Sequence, residues 1–137
     1  MLAAARLTAA LDAEMNLTEK FHAHTQNLEE KLAQDEWFFT KFRAGIVSPL
    51  SPDEAFDLIP QAVELVLRQD DLRGECFQLL LDLVRQADTT EMPHELAQAW
   101  TDLLFHIGAD GHCGKRQAQE LCRWYRREHP NHTLQQT

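Results

Sequence analysis

Apolar positions along this chain recur at helical, not strand, spacing. Leu2, Leu7, Leu11 and Met15, followed by Leu17, Phe21, Leu28 and Leu32, predict helix over residues 2–34, in two pieces if Asn16 or Thr18 breaks and recaps it. The aromatic-rich run Asp35-Glu36-Trp37-Phe38-Phe39-Thr40-Lys41-Phe42 predicts a short helix that Gly45 ends. Ser51-Pro52-Asp53-Glu54 is the clearest start signal: a serine to cap free N–H groups, a proline at the first helical position, and a glutamate placed to reach back. Beyond it, Ala55, Leu58, Ile59, Ala62, Val63, Val66 and Leu67 make one apolar face, with Asp53, Asp57, Gln61, Glu64 and Arg68 opposite. Pro60 inside this run predicts a kink or a delayed start.

Asp70 and Asp71 mark a turn, with Asp71 placed to cap a helix over about 72–88. Its expected buried side is Leu72, Cys76, Leu79, Leu80, Leu83, Val84 and Ala87, and Asp71, Glu75, Gln78, Asp82 and Arg85 step along the expected outside. Pro93 opens a helix through about Ile107, and a last helix from about Gly114 stops at His129-Pro130. The result is one all-helical domain over residues 1–137. Residues 1–45 form N-terminal capping helices, and 52–129 form two antiparallel hairpins whose starts lie about 41 residues apart, a period typical of HEAT-like stacks. An irregular helical bundle is the alternative architecture.

Composition agrees with a folded domain: 137 residues, 44% apolar and 26% charged, with only five glycines and five prolines. No run reaches the roughly 18 apolar residues of a membrane span, and the first residues lack the pattern of a signal peptide. Three cysteines at irregular spacing do not suggest a disulfide framework, so a reducing cytoplasm is the expected compartment.

The net charge of −9 is unevenly spread: residues 48–110 hold thirteen acids against Arg68, Arg73 and Arg85, whereas residues 111–137 hold two acids against five bases. The acidic centre would repel nucleic acid and attract a basic partner, or simply be a well-solvated surface. No phosphate-binding glycine loop, Gly-x-Ser-x-Gly or His-Glu-x-x-His occurs, and both serines sit in a capping context. His106, His112, Cys113, Cys122 and His129 cluster loosely, at spacings unlike those of structural zinc sites. No catalytic residue, cofactor or metal is therefore expected. Trp100 reads as core, and Trp124 and Tyr125, adjacent on one helix, cannot both face inward.

Leu79-Leu80-Leu81-Asp82-Leu83-Val84, the connector Thr89-Thr90-Glu91-Met92-Pro93, Trp100 and the closing Trp124-Tyr125-Arg126 together resemble small helical immunity proteins of bacterial polymorphic toxin systems. The resemblance covers about residues 50–127. It implies a cytoplasmic partner that binds and neutralises a toxin domain without turnover, and it brings no shared contact motif. Charge and helix face point to Asp57, Glu64, Asp71, Glu75 and Asp82 as carboxylates that meet a basic toxin domain, such as a nuclease, with Trp37 as an aromatic anchor. A HEAT-like adaptor or a delivery chaperone for a secreted effector is the alternative.

Overall fold

The computed structural model describes residues 16–69, 72–109 and 111–127. Among these the chain is all-helical: α1 (Leu17–His24), α2 (Leu28–Gln34), α3 (Phe38–Val47), α4 (Pro52–Arg68), α5 (Arg73–Ala87), α6 (His94–Gly108) and α7 (Gly111–Tyr125). The helix expected over residues 2–15 lies outside the described residues.

Local chemistry accounts for most of the boundaries. Asn16 caps α1 by accepting from the Glu19 N–H at 2.8 Å. Ser51 and Glu54 form a reciprocal capping box on α4, satisfying two N–H groups the first turn leaves free. Helix α7 closes with Arg126 in the left-handed region (φ 55°): the Arg126 N–H donates to Arg123 O and the Arg127 N–H to Cys122 O, the paired bonds of a Schellman turn.

Three expected boundaries move. Gly45 does not end its helix; α3 continues to Val47, because an exposed glycine inside a helix costs only about 1 kcal/mol relative to alanine. Helix α4 starts at Pro52 and runs unbroken through Pro60, so its start is not delayed. Helix α7 begins at Gly111 and ends at Tyr125, four residues before His129. The proposed Asp71 cap lies outside the described residues.

Helices α4 and α5 form one hairpin, α6 and α7 a second; α4 packs on α6 and α5 on α7, so the four make two layers. Helix α1 lies against α4, and α3 against α5. This covering gives α5 more buried positions than one amphipathic stripe provides: Phe77 and Leu81 are buried along with Cys76, Leu80, Leu83 and Val84. The core between the layers, including Ile59, Leu65, Leu96, Leu103, Leu104 and Leu121, is sealed from solvent, each such side chain contributing roughly 1.5–3 kcal/mol.

Polar side chains fasten the joints. Gln117 of α7 donates to Gly74 O at 3.0 Å, Gln86 of α5 donates to Leu50 O at 2.7 Å, and Gln61 of α4 accepts from the Leu17 N–H at 2.9 Å. The Trp124 indole N–H donates to Thr89 O at 3.0 Å, tying the end of α7 to the connection between hairpins. Tyr125 is buried edge-on against Trp100, and the Arg127 guanidinium covers the Trp100 ring at 5.1 Å. The adjacent aromatics thus divide: Tyr125 faces inward and Trp124 stays half-buried.

Candidate functional site: an acid-rimmed groove

Of the six residues expected to meet a partner, the five that are described do not share one surface. Asp57 and Glu64 stand on the exposed side of α4. Glu75 and Asp82 of α5 were expected on the open outside of their helix, but α3 packs over that side. Arg43, projecting from α3, donates through Nη1 to Glu75 and through Nε to Asp82 at 3.1 Å. Gln78 also donates to Asp82 at 3.1 Å. Both carboxylates are therefore engaged within the chain. Trp37 precedes α3, so it belongs to the α5 side of the molecule; the residue is 60% exposed. Asp71 lies outside the described residues.

Two adjoining hollows, which share Pro60 and Glu95 in their linings, do run along α4 and α6. Short connections reverse the chain twice between these helices, so they run parallel. Where they begin, Asp57 and Pro60 face Glu91, Met92 and Glu95 across a hollow of about 630 Å³. Farther along, Gln61, Glu64 and Leu67 face Gln98, Ala99 and Asp102 across about 570 Å³. Apolar ground from Val63, Leu67 and Ala99 lies between charged rims.

The rims are acidic by construction. Asp57, Gln61, Glu64 and Arg68 step by four, three and four residues along α4, and Glu95, Gln98 and Asp102 step by three and four along α6, so each set makes one stripe. Arg68 pairs with Glu64 at 2.7 Å. Asp57, Glu91, Glu95 and Asp102 have no ion-pair partner among the described residues. Phe105 stands seven residues beyond Gln98, on the same stripe to within about 20°, and is 68% exposed. A large ring held in water beside free carboxylates has the composition of an interface: an aromatic anchor with a charged rim.

Sequence reasoning missed Glu91, Glu95, Asp102 and Phe105. The signal was present: Leu96, Trp100, Leu103, Leu104 and Ile107 define the inner face of α6, and Phe105 is an apolar residue outside that register.

The cysteines and histidines do not converge. Cys76 is buried, and burial, with Glu75 adding to it, pushes its thiol up to about 12. Burial also raises the Cys122 thiol, while Cys113 is exposed. No group of three or more His, Cys, Asp or Glu side chains is placed to hold a metal ion among the described residues, and His129 lies outside them. No described helix is long and apolar enough to cross a membrane. No protein-family model, curated protein or solved structure matches the chain.

Proposed function

We propose that this chain is a non-catalytic binding protein that holds a basic protein through the α4/α6 groove, and that its partner is a toxin domain it neutralises, as immunity proteins do. The observation that carries the reading is the set of unpaired carboxylates Asp57, Glu91, Glu95 and Asp102 lining partly apolar hollows, with exposed Phe105 about one turn beyond Asp102 on the outer face of α6. Carboxylates free of internal partners attract cationic side chains and speed encounter with a basic surface, while the aromatic ring supplies contact area. Asp57 remains in the proposed interface, and Glu64, which lines the neighbouring hollow but is already paired with Arg68 on the exposed surface, contributes less to it. Glu75 and Asp82 leave it because Arg43 already occupies them. Neutralising a nuclease-like toxin in the cytoplasm requires only occlusion of its basic face, with no chemistry by the inhibitor.

Co-expression with the product of the neighbouring gene, read by pull-down and by growth rescue, tests the proposal. Glu95→Lys with Asp102→Lys is expected to weaken capture at least tenfold and abolish rescue, and added salt is expected to weaken the unmodified pair. Full rescue by the double variant would remove the groove from the account. The adaptor reading draws on a separate observation, the pairing of α4 with α6 and of α5 with α7 expected of stacked hairpins. It is preferred if the partner proves to be a component of secretion machinery and growth is unaffected.

A further inference from the structure

The layer formed by α5 and α7 carries the opposite charge. Two adjoining hollows of about 420 and 540 Å³ run between these helices, bordered by Arg85, Arg116, Arg123 and Arg126. Glu120 is the one carboxylate lining them, and it is paired with Arg85. Arg116, Arg123 and Arg126 meet no carboxylate among the described residues. Half-buried Trp124 lines the first hollow above Leu81 and Val84, with its N–H already committed to Thr89 O. What remains open on the indole is apolar surface.

We propose that this groove is a second docking site, which takes an extended acidic peptide segment of a partner protein. Arg116 and Arg123 lie seven residues apart on one side of α7, about 10 Å along the helix. Alternate side chains of an extended strand recur every 6.5–7 Å or so, so a few carboxylates on one edge can meet this row while an apolar neighbour rests on Trp124.

Overall charge selects among anions. The chain carries −9, so a long polyanion such as nucleic acid, with one charge per roughly 1.7 Å of duplex, meets repulsion from the rest of the molecule. A second copy brings another −9 with it. A short segment with three or four carboxylates gains the local arginines at the least long-range cost. The site shares no lining residue with the α4/α6 groove, so its occupancy is independent of the function proposed above.

Fluorescence anisotropy with a labelled ten-residue peptide of alternating glutamate and leucine is the test. The comparisons are the matching lysine–leucine peptide and a ten-nucleotide single strand. Saturable binding of the glutamate peptide is expected, at least tenfold tighter than either comparison. Arg116→Glu with Arg123→Glu is expected to abolish it without altering the thermal transition, and Glu95→Lys with Asp102→Lys to leave it unweakened. Three outcomes would overturn the proposal: no saturation by the glutamate peptide, tighter binding of the oligonucleotide, or concentration-dependent self-association of the unmodified chain that the arginine variant removes.

Discussion

Arg43 Nε donates to Asp82 Oδ2 across the α3–α5 interface at 3.1 Å, with the arginine side chain only 17% exposed. The same group reaches Glu75, so one cation joins two carboxylates about two helical turns apart and fixes α3 on α5. Arg43→Ala would leave both acids facing a covered surface without their partner. It is expected to destabilise the fold by about 1–2 kcal/mol, a value reduced for partial solvent screening of the carboxylates. Urea unfolding measures this, and a midpoint unchanged from the unmodified chain would deny the bridge a structural role. Glu75→Gln should lower stability while leaving partner affinity intact, the reverse of what an open acidic face on α5 would give.

The start of α4 supplies a pH signature. The Ser51 backbone N–H and hydroxyl hold the Glu54 carboxyl below its ordinary 4.5. Because the folded-state pKa is depressed, this contribution is complete above the unfolded pKa and disappears as pH falls through the lower folded value. Glu54→Gln keeps an acceptor for the Ser51 N–H but removes the titration. Its stability should therefore fall less steeply than that of the unmodified chain below pH ~4.5. Parallel acid profiles would refute the assignment. Ser51→Ala should cost about 1 kcal/mol at neutral pH.

These two joints mark what local pattern could and could not reveal. The capping box, the helix start after Pro93 and the polar stripe of α4 are encoded within a few residues, and each lies where the pattern put it. The fate of Glu75 and Asp82 was not legible, because their cation comes from 32 and 39 residues away and from a different helix. Periodicity shows which residues share a face; it does not show that another helix covers that face. The same limit explains Phe77 and Leu81, buried on sides of α5 that one stripe would leave open. Free carboxylates on α6 became distinguishable from committed ones on α5 only once the packing was known.

The last turn of α7 predicts a stabilising change. Arg126 occupies a left-handed conformation at φ 55° that costs an L-residue roughly 1–2 kcal/mol. Glycine removes that cost but gives up about 0.4–1 kcal/mol through a freer unfolded chain. Arg126→Gly should therefore raise stability by about 0.5–1 kcal/mol, seen as a higher urea midpoint. A lower midpoint would mean that the arginine side chain contributes more to the fold than its turn costs.

Thiol accessibility checks the core directly. Cys76 is sealed on the inner side of α5, with burial pushing its thiol up to about 12, Cys122 is buried on α7, and Cys113 is exposed. At pH 8 an aromatic disulfide reagent should take up one equivalent per native chain rapidly, and all three after denaturation. Rapid reaction of two or more thiols in the native protein would contradict the packing of α5 and α7.

Phe105 and Trp37 separate the two possible aromatic anchors. Both residues are mostly in water, at 68% and 60% exposure, so truncating either should change stability by no more than about 0.5 kcal/mol. Their settings differ. Phe105 continues the stripe of Gln98 and Asp102 along the exposed face of α6, about one turn past the acid-rimmed hollow, whereas Trp37 sits before α3, on the side where Arg43 has neutralised the neighbouring acids. If the partner docks along α4 and α6, Phe105→Ala should cost at least about 2 kcal/mol of binding energy, the scale of an interface hot spot. Trp37→Ala should then leave affinity within twofold. Calorimetric titration of both variants against the captured partner decides the matter, and the opposite ranking would move the interface to the α3 side.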